Sequence, residues 1–463
     1  SKVEYLAQGQ TKVETFTAKV FDKQGVETTQ DIAVTLMGTN DLPVFVGTQD
    51  QASLTESNGV LSAQGVLKVS DADVSDTVSL SVASVVVDGS SQLSAESQEH
   101  WNATGVQSAV KSMLHLKANA GDASDLSGPL GADGVGSEFA WKFDSAQAGA
   151  FDFLAAGERL VLNYTVRASD NNTVLANGFV PAVVDKQVQV TITGTNDLPV
   201  VEVVNLTPAS PGVPGAVVET VGDTTALVAS GELRVTDVDL SDQVTFSVSG
   251  VSVGSGTTYE GTNTPANAVL LNMLQLSAPV VVSADPGSSS KVGWTFTSGN
   301  AGASAFSFLG AGETLVLNYT LNAADGANTQ VSPVVSVTVT GTNDAPVVQA
   351  SVVSGANTLS TVTSATVTEV AGQPASGANA LSTSGLVMFT DRDSTDTHTL
   401  ESATLAYKSA GTGDVALGVM TATIQSVGVA EGSAGKVEWT YTVDPSKVEY
   451  LAQGQTKVET FTA

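Results

Sequence analysis

Short runs in which apolar and polar residues alternate are the main pattern of this sequence. Four of them are TVSLSV at residues 77–82, VQVTIT at 188–193, QVTFSV at 243–248 and VSVTVT at 335–340. Alternation gives an extended strand one apolar and one polar face, whereas runs with the helical period of 3.6 residues are hard to find. We therefore predict an all-β fold, built from tandem antiparallel β-sandwiches of seven or eight strands each, strung end to end.

The strand pattern recurs in three units, and each unit is introduced by the same linker. The motif Gly-Thr-Asn-Asp-x-Pro begins at Gly38, Gly194 and Gly341, and a strand pattern and an acidic turn follow each copy. Proline after the motif stiffens the linker and starts an edge strand. We predict closing strands of a preceding repeat at 1–41, sandwich repeats at 42–197 and 198–344, and an incomplete repeat without its last strand at 345–463.

The two ends of the chain carry the same sequence. Residues 1–18, SKVEYLAQGQTKVETFTA, recur unchanged at 446–463, and such arrays are typical of elongated proteins. The segment 1–41 contains the closing strands that the last unit lacks, and a lone hairpin is marginal in water. We expect this segment to pair with a unit like the C-terminal one, covalently in a longer parent or between chains stacked head to tail.

Composition narrows the possible partners. The chain has 18 basic and 47 acidic residues, a net charge of −29 and no cysteine. Such a field repels nucleic acid and anionic membranes and attracts cations, and disulfides cannot hold the fold together. No apolar run is long enough to span a membrane. Because the chain begins at Ser1 rather than at methionine, we expect an internal segment of a longer protein.

Oxygen donors of the same types follow each linker in the same order. The three sets are Asn40, Asp41, Glu56, Asp71, Asp73 and Asp76; Asn196, Asp197, Glu219, Asp237, Asp239 and Asp242; and Asn343, Asp344, Glu369, Asp391, Asp393 and Asp396. Three further aspartates lie before the final strand, at the end of the unit that faces the linker: Asp22, Asp170 and Asp325.

These sets predict a hard cation at each junction. Ca²⁺ takes six to eight oxygens from carboxylates, amides, backbone carbonyls and water, and carboxylates held close together repel one another without a counter-ion. The alternative is that aspartate is frequent in turns because its side chain favours them. The Asn-Asp pairs of the linkers are the weaker ligands, since they also form turns. Recurrence at three junctions favours calcium.

The linker, the Asp-x-Asp turn and the Leu-x-x-Gly-Glu-x-Leu-x-Leu-x-Tyr-Thr block of residues 154–165 and 309–320 resemble the VCBS and cadherin-like repeats of giant bacterial RTX-type adhesins exported by type I secretion. The resemblance implies immunoglobulin-like or cadherin-like modules, calcium at the joints and an extracellular location on the bacterial surface. Two features depart from it: the units are longer than usual, and Gln10 stands where Glu158 and Glu313 stand elsewhere.

Other candidate sites have simpler explanations. We predict that Trp141, Trp294 and Trp439, one per unit, pack in the cores; an aromatic platform for sugars is the alternative. Three isolated histidines form no zinc pair and no nucleophile–base arrangement, so we expect surface or loop positions for them: His100, His115 and His398.

The favoured function is a non-enzymatic spacer in a secreted adhesin or extracellular filament, stiffened by calcium between its domains. Its partners would be neighbouring repeats of the same or an identical chain, with cell-surface glycan or protein bound through other parts of the parent. A second interpretation is a module that binds glycan or protein through its variable loops. A carbohydrate-active enzyme is the third, and it is disfavoured because the same carboxylates recur at three junctions.

Overall fold

The computed structural model describes residues 3–47, 49–131, 136–170, 183–207, 216–219, 226–277, 282–283, 290–299, 305–325, 330–331, 333–354, 357–371, 380–409, 411–426 and 434–462. Nearly all regular structure in these ranges is β-strand, and the sheets are mainly antiparallel. The predicted class of tandem β-sandwiches is confirmed.

The N-terminal segment forms a two-stranded hairpin of β1 (Thr11–Phe21) and β2 (Glu27–Met37). Within the described residues these two strands make a sheet of their own. Its apolar side chains are largely uncovered: Phe16 is 56% exposed, Val20 62% and Ile32 52%. The hairpin therefore presents a face that a complete sandwich would bury.

The first full unit has nine strands and two helices. They are β3 (Val44–Val46), β4 (Gln51–Thr55), β5 (Ser62–Ser70), β6 (Thr77–Val87), α1 (Ala95–Asn102), α2 (Val106–Lys111), β7 (Leu114–Lys117), β8 (Leu130–Gly131), β9 (Ser137–Asp144), β10 (Arg159–Asp170) and β11 (Val183–Thr193). One sheet has the order β3-β5-β9-β7 and the other β4-β11-β10-β6-β8. Strand β4 runs parallel to β11, and the remaining pairs are antiparallel.

The second unit repeats this plan. Its elements are β12 (Val200–Thr207), β13 (Ala216–Val218), β14 (Val228–Thr236), β15 (Gln243–Val253), α3 (Asn267–Leu271), β16 (Leu274–Leu276), β17 (Val282–Ser283), β18 (Ser290–Thr297), β19 (Thr314–Ala324), β20 (Gln330–Val331) and β21 (Val334–Thr340). The sheets run β12-β14-β18-β16 and β13-β21-β19-β15-β17, with β20 beside β19. As in the first unit, a short strand near the start, β13, lies parallel to the last strand, β21.

The third unit has one four-stranded sheet, β22-β25-β28-β27, and two small two-stranded sheets, β23-β24 and β26-β29. Its elements are β22 (Val347–Gln349), β23 (Ser351–Ser354), β24 (Asn357–Ser360), β25 (Leu381–Thr390), β26 (Ala406–Tyr407), β27 (Gly418–Ser426), β28 (Gly435–Val443), a 3₁₀ helix (Pro445–Lys447) and β29 (Phe461–Thr462). Its buried cluster, among the described residues, has four members: Phe389, Ala422, Val437 and Trp439. Among the described residues, the second sheet of this sandwich is therefore incomplete.

Three short helices lie in the variable middle of the first two units, within the described residues. Ser94 caps α1 by accepting a hydrogen bond from the Ser97 amide. Trp101 of α1 and Val110 of α2 are buried. The helices span eight residues or fewer. Such short segments show too few turns for a 3.6-residue period to stand out.

The predicted core position of the three tryptophans is confirmed. Trp141, Trp294 and Trp439 are 0%, 1% and 6% exposed. Each indole lies over a glycine of the neighbouring strand in the same sheet, Gly65, Gly231 or Gly385, where an added Cβ would lie 2.5–2.7 Å from the nearest ring atom. The alternative of a sugar-binding platform fails because the rings are covered.

Candidate metal centres at the linkers

The acidic turn between β5 and β6 folds back on itself through its first aspartate. Asp71 Oδ1 accepts a hydrogen bond from the Asp73 amide at 3.0 Å, and the Asp76 amide donates to the Asp73 carbonyl at 2.9 Å. Short aspartate side chains favour such turns because they reach the backbone two residues on. The first of these bonds recurs in the other two turns: the Asp239 amide donates to Asp237 Oδ1 and the Asp393 amide to Asp391 Oδ1, each at 3.2 Å. The three junctions therefore share one turn geometry.

The linker binds this turn through its Asn-Asp pair. The Asp41 amide donates to Asp73 Oδ2 at 2.7 Å, while Asn40 Nδ2 donates to Asp170 Oδ2 at 2.7 Å. Asp170 ends β10, so the linker, the turn and the far strand of one sandwich meet at a single point. We call this group the first turn cluster: Asn40, Asp41, Asp71, Asp73, Asp76 and Asp170.

The second linker repeats the arrangement. The Asp197 amide donates to Asp239 Oδ2 at 2.7 Å, and Asn196 Nδ2 donates to Asp325 Oδ2 at 3.0 Å. Asp325 directly follows β19, as the order of strands requires. The second turn cluster consists of Asn196, Asp197, Asp237, Asp239, Asp242 and Asp325.

The third turn cluster contains Asn343, Asp344, Asp391, Asp393 and Asp396. The Asp344 amide donates to Asp393 Oδ2 at 2.8 Å, but Asn343 Nδ2 bonds only the Asp344 carbonyl among the described residues. His398 Nε2 lies 2.8 Å from Asp391 Oδ2, and its side chain is 11% exposed. His398 lies in a loop, as expected, and it packs on Phe389, with ring centroids 5.0 Å apart.

These clusters bury carboxylate oxygens that lack a donor. The side chains of Asp73, Asp239 and Asp393 are fully buried. Within the described part of the chain, one buried oxygen on each of several aspartates has no hydrogen-bond partner: Asp71 Oδ2, Asp73 Oδ1, Asp76 Oδ2, Asp237 Oδ2, Asp239 Oδ1 and Asp393 Oδ1. Burying an anion without a partner costs free energy. A bound cation would remove this cost.

The pKa values of these carboxyls are raised, because their charged forms are buried without a counter-ion. Burial, together with the nearby charges of Asp242 and Asp237, raises the pKa of Asp239 to about 8. Burial likewise raises the pKa of Asp393 to about 7 and that of Asp71 to about 6. Without a cation, part of each cluster holds protons near neutral pH.

A second group of carboxylates lies at the other face of the second linker. Oxygens of Glu56, Asp152 and Asp197 all lie within 4.8 Å of one another. Burial, together with Glu56, raises the pKa of Asp152 to about 6. Thr195 Oγ1 donates to Glu56 Oε2, and Asn58 Nδ2 donates to Asp197 Oδ1 at 2.9 Å. We call this group the linker cluster; it joins the first unit to the linker.

The assignment of Glu56 and Glu219 to the turns that follow them in sequence is wrong. The Glu56 amide donates to the Thr193 carbonyl at the end of β11, and the Glu219 amide donates to Thr340 at the end of β21. Both glutamates follow a short strand that runs parallel to the last strand of its unit. Each is therefore carried to the outgoing linker, one junction later than its position in the sequence suggests.

Two other predicted ligands lie outside the clusters. Asp22 is exposed in the turn of the hairpin, where its Oδ1 accepts from the amides of Gln24 and Val26. Glu369 is half-buried and follows residues 365–368, which are not a strand. In the first two units the equivalent residues are paired with the last strand of the unit.

Asp152 was missed by sequence reasoning. It precedes Leu154 by two residues, and the positions equivalent to it hold Glu4 and Ser307 in the other units. Because the residue type varies, the position does not stand out among the repeated donors. An acidic residue in two of three aligned copies was the available signal.

Units also touch directly beside these clusters. The Leu240 amide donates to the Phe153 carbonyl at 3.5 Å, and the equivalent Ser394 amide donates to Phe308 at 3.1 Å. The Gln10 side chain bonds Ser75 Oγ at 2.9 Å. Each acidic turn therefore rests on the unit before it, and a cation there would act on an existing contact.

Comparisons with known proteins name no family for this chain. No family model matches it, and no curated protein matches it. Among solved structures it is similar to protocadherin gamma B2 extracellular cadherin domains 1–5 (13% identity, 94% of this chain and 59% of that one, TM-score 0.30) and to the protocadherin gammaB7 EC3-6 cis-dimer (12%, 92% and 81%, 0.32). It is also similar to human CDH23 EC21-23 (13%, 71% and 73%, 0.24). The chain thus spans less than two thirds of the first of these.

No helix within the described ranges is long and apolar enough to cross a membrane.

Proposed function

We propose that this chain is a non-enzymatic segment of an extracellular adhesion-type rod, in which calcium ions at the linkers set the angle between successive sandwiches. The observation that carries the proposal is the set of buried carboxylate oxygens without donors at each linker. The resemblance to VCBS and cadherin-like adhesin repeats supports a bacterial surface location. The tandem plan of the chain supports a spacer role.

The linker cluster fits calcium in both chemistry and size. Its donors are all carboxylate oxygens, which Ca²⁺ prefers, and Ca–O distances of about 2.3–2.6 Å place opposite ligands about 5 Å apart. The oxygens of the linker cluster all lie within 4.8 Å of one another, so one ion can reach all three. Asp152 Oδ1, Glu56 Oε1 and Asp197 Oδ2 are each buried and have no donor among the described residues.

Asp197 is the residue through which the ions would stiffen the joint. Its side chain belongs to the linker cluster of the first unit, while its amide is bonded to Asp239 of the second unit. An ion bound to Glu56 and Asp197 holds the linker to the unit before it. An ion bound to Asp239 and its neighbours holds the same linker to the unit after it. Together they replace a hinge with a fixed angle.

Isothermal titration calorimetry with Ca²⁺ on chelator-treated protein tests the proposal, with Mg²⁺ as the comparison ion. We expect several exothermic or endothermic Ca²⁺ sites and weak Mg²⁺ binding, because Mg²⁺ demands a smaller octahedral cage. Asp197→Asn should remove sites at the second linker. Asp185→Asn is the control, since Asp185 pairs with Arg167 on the surface and belongs to none of the clusters. Absence of Ca²⁺ binding at millimolar concentration would contradict the proposal.

A binding module is the second candidate, because the first unit has a cleft in its variable middle. The cleft measures about 410 Å³ and is lined by the end of β6 and by α1 and α2, with Asp88, Gln98, Trp101 and Asn102 among its residues. Polar groups beside an aromatic edge suit a small glycan. Selective binding on a glycan array that Gln98→Ala abolishes would favour this function over a plain spacer.

A further inference from the structure

An asparagine followed by glycine lies beside the linker cluster. Asn58 and Gly59 occupy a bend between β4 and β5, and both residues are exposed. Asn58 Nδ2 donates a hydrogen bond to Asp197 Oδ1 at 2.9 Å, so its side-chain amide contacts the linker. The matching positions of the other two units, two residues after Glu219 and Glu369, hold valine and alanine. This amide is therefore a feature of the second linker.

The dipeptide can react with itself, because glycine has no side chain to hinder attack by its backbone nitrogen. After losing its proton, the Gly59 nitrogen attacks Asn58 Cγ; the Cγ–Nδ2 bond breaks, ammonia leaves and a cyclic succinimide forms. Water then adds to one carbonyl of the ring and reopens it as aspartate or isoaspartate. The net reaction converts an amide and water into a carboxylate and ammonium, without oxidant or reductant. Either product has a free carboxylate at position 58.

The backbone around Asn58 leaves room for ring closure. Among the described residues, the Gly59 amide donates to Ser57 Oγ, at 3.4 Å, rather than to a partner strand. A Cβ added at Gly59 would meet only Ser57 Oγ, at 3.5 Å, so the bend is not crowded. Backbone in an exposed loop opens at little cost in free energy. The nitrogen can therefore approach Asn58 Cγ without breaking a sheet.

We propose that Asn58 is a deamidation site and that the carboxylate it produces becomes a further calcium ligand of the linker cluster. Without a cation, this carboxylate replaces a hydrogen-bond donor to Asp197 and repels it as a like charge. With calcium, it joins Glu56, Asp152 and Asp197, and more anionic ligands raise calcium affinity. The modification therefore loosens the second joint in chelator and tightens it in calcium. Deamidation stands on the geometry of the bend, whereas its effect on calcium rests on the proposed function.

Peptide mass spectrometry of the whole chain, after incubation in mildly alkaline buffer, tests the modification. The peptide that contains Asn58 should gain the mass difference between an amide and an acid. Gly59→Ala should suppress this gain over the same time, and its methyl group fits the bend. An unchanged Asn58 peptide, under conditions that deamidate a synthetic peptide of residues 55–61, would overturn the site. Equal rates in the wild type and in Gly59→Ala would also overturn it.

Asn58→Asp reproduces the aspartate product and tests the ligand role by calorimetric titration. It should bind calcium at the second linker about tenfold more tightly than the wild type, and its melting temperature in chelator should be lower. Asn119→Asp is the matched control: Asn119 is exposed, also donates to an aspartate, Asp122 at 3.3 Å, and belongs to no cluster. Its calcium affinity should equal that of the wild type. Unchanged or weaker binding by Asn58→Asp would overturn the ligand role. If no chain binds calcium, the proposed function fails as well, and the mass measurement still decides whether Asn58 deamidates.

Discussion

Asp239→Asn should stabilise the second unit in chelator, and calcium should offset about half or more of that gain. Asp239 is fully buried, one of its oxygens has no donor among the described residues, and burial raises its pKa to about 8. In chelator its stabilising contribution is complete below its ordinary pKa of 3.8 and is lost as the pH rises through 8. Asparagine removes this dependence.

The magnitude follows from linkage. Between pH 3.8 and 7 the unfolded chain gives up a proton that folded Asp239 retains, and at about 1.4 kcal/mol per pH unit this costs about 4 kcal/mol. Asparagine should recover about 2–4 kcal/mol in chelator. At about 2–4 °C per kcal/mol for a domain of this size, the melting temperature should rise by about 4 °C or more.

Calcium should offset about half or more of this gain, because the variant loses an anionic ligand and is stabilised less by the ion. An ion at 100 times its dissociation constant stabilises by about 2.7 kcal/mol, so a hundredfold loss of affinity removes about 2 kcal/mol of stability. Differential scanning calorimetry at pH 7 in both conditions measures each change. Glu202→Gln, which breaks an exposed pair with Arg234, should cost less than about 1 kcal/mol in either condition. A lower melting temperature for Asp239→Asn in chelator would refute the reasoning.

Three further predictions concern the linkers and the cores. In chelator the melting temperature should fall from pH 5 to pH 8, because burial raises the pKa of several cluster carboxyls to between about 6 and about 8. With calcium this fall should disappear. Parallel pH profiles of the melting temperature in the two conditions would count against bound calcium. Gly231→Ala should destabilise the second unit by about 1–3 kcal/mol, since the new Cβ would lie 2.7 Å from the Trp294 ring, whereas Gly250→Ala meets nothing nearer than 4.0 Å; equal melting temperatures would show that the ring can move. Asp152→Asn should weaken calcium binding at the second linker, and Ser307→Asp should strengthen it at the third; calorimetric titration of both variants checks this, and unchanged affinities would remove Asp152 from the site.

The fold was largely predictable because strand alternation and repeated linkers are local signals. Residues such as Val188 and Val190 alternate strictly and are fully buried on one face. The helices were not predictable, since a segment as short as Asn267–Leu271 has too few residues to show a period.

The turn clusters were also predictable, because their ligands are close in sequence. Asp237 and Asp239 are two residues apart and share one turn. The position of Glu56 was not predictable in the same way: it is carried to the far end of the sandwich by a strand whose parallel partner, β11, is more than 100 residues away. Assigning a ligand to its junction therefore required the pairing of distant strands.

The distance between two spin labels on either side of the second linker tests the central claim most directly. Ser81→Cys and Ser247→Cys occupy equivalent exposed positions in the first and second units, and the chain has no native cysteine. Double electron–electron resonance should give one narrow distance distribution in calcium and a broad one in chelator. The same distribution in both conditions would contradict calcium control of the joint.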